Sequence, residues 1–360
     1  MSLLIAAGGT GGHVFPALAV ARAYRRLYPQ ARLYWVGTHG GREARWLSRE
    51  NIPFYGAHIR GWQPKKGWKN LFQLSWLPVA AAEVGWLFRR WRIQGVFTTG
   101  GYPGLMPGLW SALLRKPLII LELNRHAGRT VRWLAPYARL ILGAFPEIEG
   151  LPKEKAPTFL GVPVRFEAGD RQRYTPAAAR QAWGLAPDRP VVLILGGSGG
   201  STALNRAIAA ALPAWLAAGA QVIWQVGAQP PAEVAPSEAL RMVPFIEDMA
   251  QAYIAADLVV SRAGGATLGE LAWWGKATVL VPSPHVAEDH QRKNAAYWAQ
   301  AGAAYVVEEE DPQALAQAVL KLLYDAPARQ ALSEAAHRLT RPDSALLIAQ
   351  KLHTLLYGVS

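Results

Sequence analysis

Two glycine-rich loops carry the residue types that would bind a phosphate and move a proton. The first, Gly8–Gly12, follows an apolar run and precedes His13, whose imidazole titrates near neutral pH and could accept a proton from a hydroxyl group. The second, Gly196–Gly200, follows another apolar run and contains Ser198. A buried strand, a tight glycine turn and a helix start together present N–H groups and a positive dipole end, which suits an anion. A plain tight turn is the alternative for the first loop, which has neither a complete GxGxxG fingerprint nor a P-loop lysine.

The second loop also matches the G-x-S-x-G pattern of a hydrolase nucleophile elbow. Asp257 and either His285 or His290 follow Ser198 in the chain order that a hydrolase would need. That interpretation leaves the first half of the chain, with its own glycine loop, unexplained. Contact between Ser198 and a diphosphate is therefore favoured.

Two polar segments follow predicted strands of the second half. Ser261–Glu270 begins with small residues that would let a ligand approach a helix start, and Glu270 could accept hydrogen bonds from ribose hydroxyls. His285–Asn294 offers amide groups that suit sugar hydroxyls. An ordinary helical carboxylate and a solvated loop are the alternatives. The sequence has no HExxH, DxD or Cys/His ligand spacing, so we predict no metal site and no cofactor.

The segment 62–92 interleaves tryptophans with cations. Tryptophan favours the membrane interface and cations favour anionic headgroups, so this segment could hold the protein on a bilayer. The alternatives are buried tryptophans with solvated cations, or single-stranded nucleic acid, for which no known binding signature is present. The residues expected to contact the membrane are Lys65, Lys66, Trp68, Lys69, Phe72 and Trp76.

Alternating strand and helix patterns would position these loops on two parallel sheets. The predicted strands lie near 3–7, 32–36, 53–57, 95–98, 118–122 and 139–142, and then near 191–195, 221–226, 240–243, 257–260, 277–281 and 304–307. A proline-rich stretch, 143–190, indicates the connection between domains. We therefore predict an α/β protein with two Rossmann-like domains, 1–163 and 164–342, facing across a cleft, and a final helix, 343–356, that can pack back on the first domain.

The net charge of +13 over 360 residues is concentrated in the first half. Residues 1–165 contain 23 Lys and Arg against 7 Asp and Glu, a net +16, whereas the remainder contains 15 against 18, a net −3. Anionic lipid or nucleic acid would suit that basic half. The chain has no cysteine, no 18-residue apolar run and no secretory signal pattern at its start, which together favour a cytoplasmic protein.

Several motifs in order along nearly the whole chain resemble the MurG family, the peptidoglycan N-acetylglucosaminyltransferases of the two-domain GT-B fold. Together they are specific, although each alone would be weak. The matching segments are Gly8–Ala17, Thr99–Tyr102, Glu122–Asn124, Gly161–Arg165, Gly196–Gly200, Phe245–Met249, Arg262–Glu270 and Asp289–Ala295.

The resemblance implies transfer of GlcNAc with inversion from UDP-GlcNAc to the C4 hydroxyl of MurNAc in undecaprenyl-pyrophosphoryl-MurNAc-pentapeptide (lipid I), without an obligatory metal. It implies a peripheral enzyme on the cytoplasmic face of the membrane, with no nucleic-acid partner. His13 is the leading general base and Glu122 the rival. Acceptor contacts are implied for Gly100, Gly101 and Tyr102. Donor contacts are implied for Thr10, Gly11, Gly12, Asn124, Arg165, Ser198, Ile246, Gly265, Ala266, Thr267, Leu268, Gly269, Glu270, His290, Gln291 and Asn294.

The sequence departs from the family pattern at two loops. The usual His-Glu-Gln-Asn reads Leu121–Asn124 here, and the usual Gly-Gly-Ser-Gln-Gly has Gly199 in place of glutamine. Roles of those missing side chains cannot be carried over. A GT-B enzyme with another lipid or aglycone acceptor, and a sugar-nucleotide-binding protein without activity, remain the alternatives.

Overall fold

Short aliphatic runs form the strands of two parallel sheets. The computed structural model describes residues 2–59 and 75–358. Leu118–Glu122 and Val191–Leu195 are buried along their whole length. Because successive side chains of a strand point to opposite faces, a strand that is buried along its whole length is typical of a parallel sheet covered by helices on both sides. Every ladder between the described strands is parallel.

The chain forms two compact units. Unit 1 comprises Met1–Arg165 with Arg341–Ser360, and unit 2 comprises Phe166–Thr340. Each unit has one sheet and its own buried aliphatic core. The predicted α/β class with two Rossmann-like domains is confirmed.

In unit 1 the described strands follow the order β3-β2-β1-β4-β5-β6-β7. The strand order reverses between β1 and β4, and ligands of such sheets bind beyond the carboxyl ends of the strands at that point. The elements are β1 (Ser2–Ala6), α1 (Gly11–Leu27), β2 (Arg32–Thr38), α2 (Glu43–Leu47), β3 (Phe54–Ala57), α3 (Leu77–Arg90), β4 (Gly95–Thr98), α4 (Leu105–Leu113), β5 (Leu118–Glu122), α5 (Arg129–Leu134), β6 (Leu140–Gly143) and β7 (Thr158–Phe159).

In unit 2 the order is β10-β9-β8-β11-β12-β13, with the reversal between β8 and β11. The second glycine loop leaves β8 and the Ser261–Glu270 segment leaves β11, so both lie at the switch point of this sheet. The elements are α6 (Pro176–Ala182), β8 (Val191–Leu195), α7 (Thr202–Ala217), β9 (Gln221–Gln225), β10 (Leu240–Val243), α8 (Met249–Ala255), β11 (Leu258–Ser261), α9 (Gly265–Trp274), β12 (Thr278–Leu280), α10 (His290–Gln300), β13 (Tyr305–Val306), α11 (Pro312–Tyr324) and α12 (Ala326–Arg338).

The final helix, α13 (Ser344–Tyr357), belongs to unit 1 and packs on α1. It buries Ile348, Ala349 and Leu352 completely. The His353 ring stacks on Tyr28 with a centroid distance of 3.6 Å. The helix therefore closes one face of α1.

The first helix begins earlier than its sequence suggests. Because proline is common in the first turn of a helix, the sequence predicts a helix from Pro16 to Leu27, but α1 begins at Gly11 and contains Pro16. Thr10 is the extended N-cap residue, and the N–H of Val14 donates to its carbonyl oxygen at 3.2 Å. Because the glycine turn is complete at Thr10, the helix starts immediately after it.

Candidate active site

His13 lies in the first turn of α1, and Thr99, which follows β4, contacts both its side chain and its main chain. The His13 Nδ1 atom lies 2.8 Å from the Thr99 carbonyl oxygen, and the Thr99 hydroxyl donates to the His13 carbonyl oxygen at 2.9 Å. A carbonyl oxygen can only accept, so Nδ1 must carry the hydrogen. In the neutral ring, the lone pair is then on Nε2, the atom that a general base would use.

The predicted acceptor glycines come close to this ring. Gly100 and Gly101 have φ values of +81° and +69°, a conformation that disfavours side chains. A Cβ atom on Gly101 would lie 3.3 Å from His13 Nε2. Tyr102 packs against Gly9, where an added Cβ would come within 2.9 Å of its ring. The structure therefore brings the first glycine loop, His13 and the Gly100–Tyr102 turn together at the switch point of unit 1.

Glu122, the rival base, is buried at the end of β5 with 3% of its surface exposed. Burial raises the pKa of its carboxyl group, and hydrogen bonds from Gly128 and Asn124 oppose that shift. The carboxylate accepts from the N–H groups of Asn124 and Gly128, each at 2.9 Å, and from Asn124 Nδ2 at 3.1 Å. These bonds hold the turn that leads into α5, and they also orient Asn124.

A buried carboxylate that the sequence did not single out supports the first glycine loop. Glu43, in α2, is 1% exposed and accepts from the N–H of Thr38 at 2.5 Å. A Cβ atom on Gly8, Gly37 or Gly41 would lie within 2.4–2.7 Å of its side chain. Three glycines thus make room for one carboxylate beside the loop. The only sequence feature that could have indicated this supporting role is a glutamate two residues after the Gly40-Gly41 pair.

The remaining predicted donor residues of unit 1 lie at the amino end of α1 and at the end of the unit's first segment, 1–165. Thr10 is the N-cap of α1, and Gly11 and Gly12 are its first two residues. The Arg165 guanidinium lies 4.3 Å from the centroid of the Phe15 ring, a distance typical of a cation–π contact.

In unit 2 the second glycine loop forms a tight turn before α7. Gly197 and Gly200 have φ values of +87° and +73°, and the N–H of Gly200 donates to the Gly197 carbonyl oxygen at 3.0 Å. Ser198 is half-buried at the loop tip, between these glycines. Ser201 caps the helix by accepting from the N–H of Leu204 at 3.3 Å. The loop and the helix start have the form expected of an anion site.

A second helix start in unit 2 has the same form. Gly264 is the extended N-cap of α9, so Gly265, Ala266 and Thr267 are the residues whose N–H groups have no partner within the helix. The N–H of Leu268 donates to the Gly264 carbonyl oxygen at 3.0 Å, and its side chain is buried. Neither the N–H nor the side chain of Leu268 is therefore available for the predicted contact with a ligand.

Glu270 lies in the second turn of α9, one residue beyond Gly269. Its carboxylate accepts a hydrogen bond from the Tyr253 hydroxyl at 3.0 Å. Tyr253 is fully buried on α8, so it fixes the direction of the partly exposed carboxylate. A carboxylate oriented in this way can accept bonds from two neighbouring hydroxyl groups.

The three predicted sugar-binding residues differ in their surroundings. His290 begins α10, and the Gln291 side-chain oxygen accepts from the N–H of Ser283 at 2.8 Å. Asn294 is fully buried and donates to the Ala263 carbonyl oxygen at 2.9 Å. Asn294 therefore supports the loop before α9 through its hydrogen bond to Ala263, and Gln291 links α10 to the loop that follows β12.

Two buried polar side chains to which the sequence assigned no role of their own connect these loops. Arg262 forms an ion pair with Glu309 and donates to the Ser201 hydroxyl at 2.7 Å. Gln225, at the end of β9, hydrogen-bonds to both Gly197 and Ile246. The group of Ile246 that it engages is the main-chain N–H. Only their polar type at the ends of apolar strands could have indicated these roles.

Five of the six residues expected to contact the membrane lie outside the described residues; they are Lys65, Lys66, Trp68, Lys69 and Phe72. Trp76 is half-buried and stacks on His58 with a centroid distance of 5.1 Å. Within 2–59 and 75–358, no helix has the length and apolar character needed to cross a bilayer, and no group of three or more metal-binding side chains occurs.

Comparisons with known proteins identify the family. Residues 3–142 match the glycosyltransferase family 28 N-terminal domain, and residues 191–348 match its C-terminal domain. The chain is 40% identical, over 98% of its length and 96% of the relative's, to the UDP-N-acetylglucosamine--N-acetylmuramyl-(pentapeptide) pyrophosphoryl-undecaprenol N-acetylglucosamine transferase of Salinibacter ruber.

Solved structures agree. The MurG structure of Acinetobacter baumannii matches with a TM-score of 0.71 and 28% identity, covering 98% of this chain and 99% of that one. A UDP-bound structure of Staphylococcus aureus MnaA matches with a TM-score of 0.75 at 13% identity, covering 100% of this chain and 98% of that one, and shares the fold alone. This chain belongs to the MurG family of glycosyltransferases.

Proposed function

We propose that this chain transfers GlcNAc from UDP-GlcNAc to the MurNAc C4 hydroxyl of undecaprenyl-pyrophosphoryl-MurNAc-pentapeptide, with inversion at the anomeric carbon. Family membership supports the reaction class, since the Salinibacter relative carries the name of this transferase over nearly the same length. The observation that carries the mechanism is the placement of His13, whose Nδ1 is bound to Thr99 beside the Gly100–Gly101 turn.

The proposed chemistry uses His13 as the general base. Its Nε2 removes the proton from the acceptor hydroxyl as that oxygen attacks the anomeric carbon of GlcNAc. The bond from that carbon to the UDP oxygen breaks at the same time, and UDP leaves with the electron pair. The bond from Nδ1 to the Thr99 carbonyl oxygen stabilises the imidazolium that forms.

Glu122 fits a supporting role better than that of the base. Its two oxygens already accept three hydrogen bonds from Asn124 and Gly128, and the carboxyl group is buried. A base must reach the acceptor proton directly or through one water. We therefore assign the proton transfer to His13 and the support of the Asn124 turn to Glu122.

The donor is proposed to bind unit 2 along the loops at its switch point. The uracil would meet the Ile246 carbonyl group, and the diphosphate would meet Ser198 and the start of α9. Glu270, held by Tyr253, would accept hydrogen bonds from the ribose hydroxyls. Gln291 and His290 would face the GlcNAc. The positive ends of α7 and α9 would stabilise the charge that develops on departing UDP.

Unit 1 is proposed to bind the acceptor and the cytoplasmic face of the membrane. Three helices of this unit pack on one another and expose large apolar side chains. Trp110 of α4 donates to the Ala81 carbonyl oxygen of α3 at 2.8 Å, and Leu134 of α5 fills the space beside Gly108. We call the exposed apolar side chains of this helix group the apolar face; they are Leu77, Val79, Trp86, Leu109, Leu113, Leu114 and Trp133.

Exposed cations lie on or beside the same helices, at Arg89, Arg90, Arg115 and Lys116. An apolar surface bordered by cations would insert shallowly into an anionic leaflet. The net charge of +16 on residues 1–165 would strengthen this attraction.

Purified protein incubated with labelled UDP-GlcNAc and a lipid I analogue tests the proposal. A lipid-linked disaccharide, formed about 100-fold more slowly or slower still by the His13→Ala variant, is the expected result. Donor binding without transfer to any lipid would favour a sugar-nucleotide-binding protein. Transfer only to a different lipid or aglycone would favour another GT-B activity, and either result would contradict the proposal.

A further inference from the structure

Gln225 is a buried side chain that connects two loops of unit 2. It is the last residue of β9 and is 5% exposed. Its Nε2 atom donates to the Gly197 carbonyl oxygen at 2.8 Å, and its Oε1 atom accepts from the N–H of Ile246 at 3.0 Å. One amide group therefore links the diphosphate loop, Gly196–Gly200, to residues 244–248. We call the latter the base loop, because it contains Ile246, which is proposed to meet the uracil base.

The first of these bonds fixes the direction of a donor group. The chain contains no cis peptide bond among its described residues, and in a trans peptide the C=O and the following N–H point in opposite directions. Holding the Gly197 carbonyl oxygen toward Gln225 therefore directs the Ser198 N–H the other way. The N–H of Gly200 also donates to the Gly197 oxygen, at 3.0 Å, so this peptide is held by two bonds.

The second bond fixes the base loop from the same side chain. The Ile246 side chain is 1% exposed, so this residue is anchored by packing as well as by its N–H. The bond to Ile246 is buried and the bond to Gly197 is partly buried, so water competes little with the first and more with the second.

We infer that Gln225 is a positioning residue that sets the spacing between the base loop and the diphosphate loop, so that one nucleoside diphosphate engages both. This inference rests on the donor site proposed above. A uridine and a diphosphate joined in one molecule bind cooperatively only if their two subsites are at the correct separation. Gln225 need not touch the ligand to provide that separation.

The same strand offers a matched control. Gln221, at the other end of β9, is 2% exposed and also uses its amide to bridge. Its Oε1 accepts from the N–H of Ala186 at 2.7 Å, and its Nε2 donates to the Ala186 carbonyl oxygen at 2.9 Å. Loss of either glutamine amide removes buried hydrogen bonds from β9, but only Gln225 bridges the two ligand loops.

The experiment compares Gln225→Met with Gln221→Met in the full chain. Titrations followed by ligand-observed NMR measure the affinities for UDP, for uridine and for inorganic pyrophosphate, and thermal unfolding checks the fold. We expect Gln225→Met to bind UDP about tenfold more weakly than wild type, which corresponds to the loss of about one buried hydrogen bond. Its affinities for uridine and for pyrophosphate should stay within about twofold, because each subsite persists by itself.

Gln225→Glu adds a second measurement, because it keeps the acceptor for Ile246 and loses the donor to Gly197. We expect it to weaken UDP binding as well, whereas Gln221→Met should leave UDP affinity unchanged. Equal UDP affinity in Gln225→Met and Gln221→Met would overturn the inference. So would a parallel loss for all three ligands. If wild-type protein fails to bind UDP at all, the proposed function itself is wrong, and the inference falls with it.

Discussion

Replacing Gly101 by alanine should slow the reaction by displacing the His13 ring without weakening donor binding. The added Cβ would lie 3.2 Å from His13 Cδ2 and 3.3 Å from Nε2, so the ring must move by a few tenths of an ångström. Nδ1 is tethered to Thr99, and the shift therefore falls on Nε2. Since a misplacement of about 1 Å at a reacting group costs about 100-fold, we expect kcat to fall about tenfold.

Backbone strain must be separated from this contact. Gly101 has a φ of +69° and a ψ of 166°, a backbone conformation that is essentially restricted to glycine, where alanine costs about 1–3 kcal/mol. Gly40 provides the control, because its φ is +67° and an added Cβ would meet no atom within 4 Å. Both alanine variants should lower the free energy of unfolding in urea denaturation, and Gly101→Ala should lower it by more, because its added Cβ also meets the His13 ring. Only Gly101→Ala should lower kcat in the assay with a lipid I analogue.

A double-mutant cycle completes the test. If Gly101→Ala acts through the imidazole, it should have little further effect on kcat in a His13→Ala background, where the ring is gone. A tenfold effect that persists in that background would refute the reasoning. Equal turnover in Gly101→Ala and Gly40→Ala would refute it as well.

Three further predictions concern the base, the membrane and pH. His13→Ala should lower turnover by about 100-fold or more while leaving UDP affinity near the wild-type value, because the ring acts on the acceptor; an equal loss of UDP affinity in a binding titration would contradict that role. Trp86→Ser should reduce sedimentation with anionic vesicles, whereas Tyr324→Ser, at an exposed position of unit 2, should not; unchanged vesicle binding by Trp86→Ser would exclude that side chain as a membrane contact. Burial lowers the pKa of Lys276 from its ordinary value of 10.5 to about 8. Between these two pH values the unfolded chain binds more protons than the folded one, so the free energy of unfolding rises with pH. Urea unfolding at pH 8 and at pH 10 should show a larger increase in the free energy of unfolding for wild type than for Lys276→Met.

Strands and loops could be predicted from the sequence because their signals are local. A fully buried aliphatic run such as Val191–Leu195 is typical of a central strand, and a glycine turn between such a run and a helical pattern predicts an anion site. The two-residue strand β7 was missed, since Thr158 and Phe159 lie in a proline-rich stretch with no run of their own. The predicted start of α1 differs from the observed one because proline favours the first turn of a helix, whereas Pro16 lies in the second turn.

Polar side chains that support the loops could not be predicted in the same way. Their partners are distant in sequence: Gln225 reaches Gly197, and Arg262 reaches Glu309. The type of a residue indicates that it can hydrogen-bond, but only the fold shows whether it faces a ligand or the interior. Asn294 illustrates this, since its amide is fully buried and bonded to a main-chain carbonyl group.

The return of α13 to unit 1 has a consequence for how the protein is made. Residues of α1 leave the ribosome long before the helix that covers them through Ile348 and Leu352, because the whole of unit 2 is synthesised in between. Until then, the nascent chain exposes an uncovered apolar surface on its amino-terminal half. Unit 1, whose synthesis starts before that of unit 2, is thus completed only after unit 2, and truncation of the chain before α13 would destabilise unit 1.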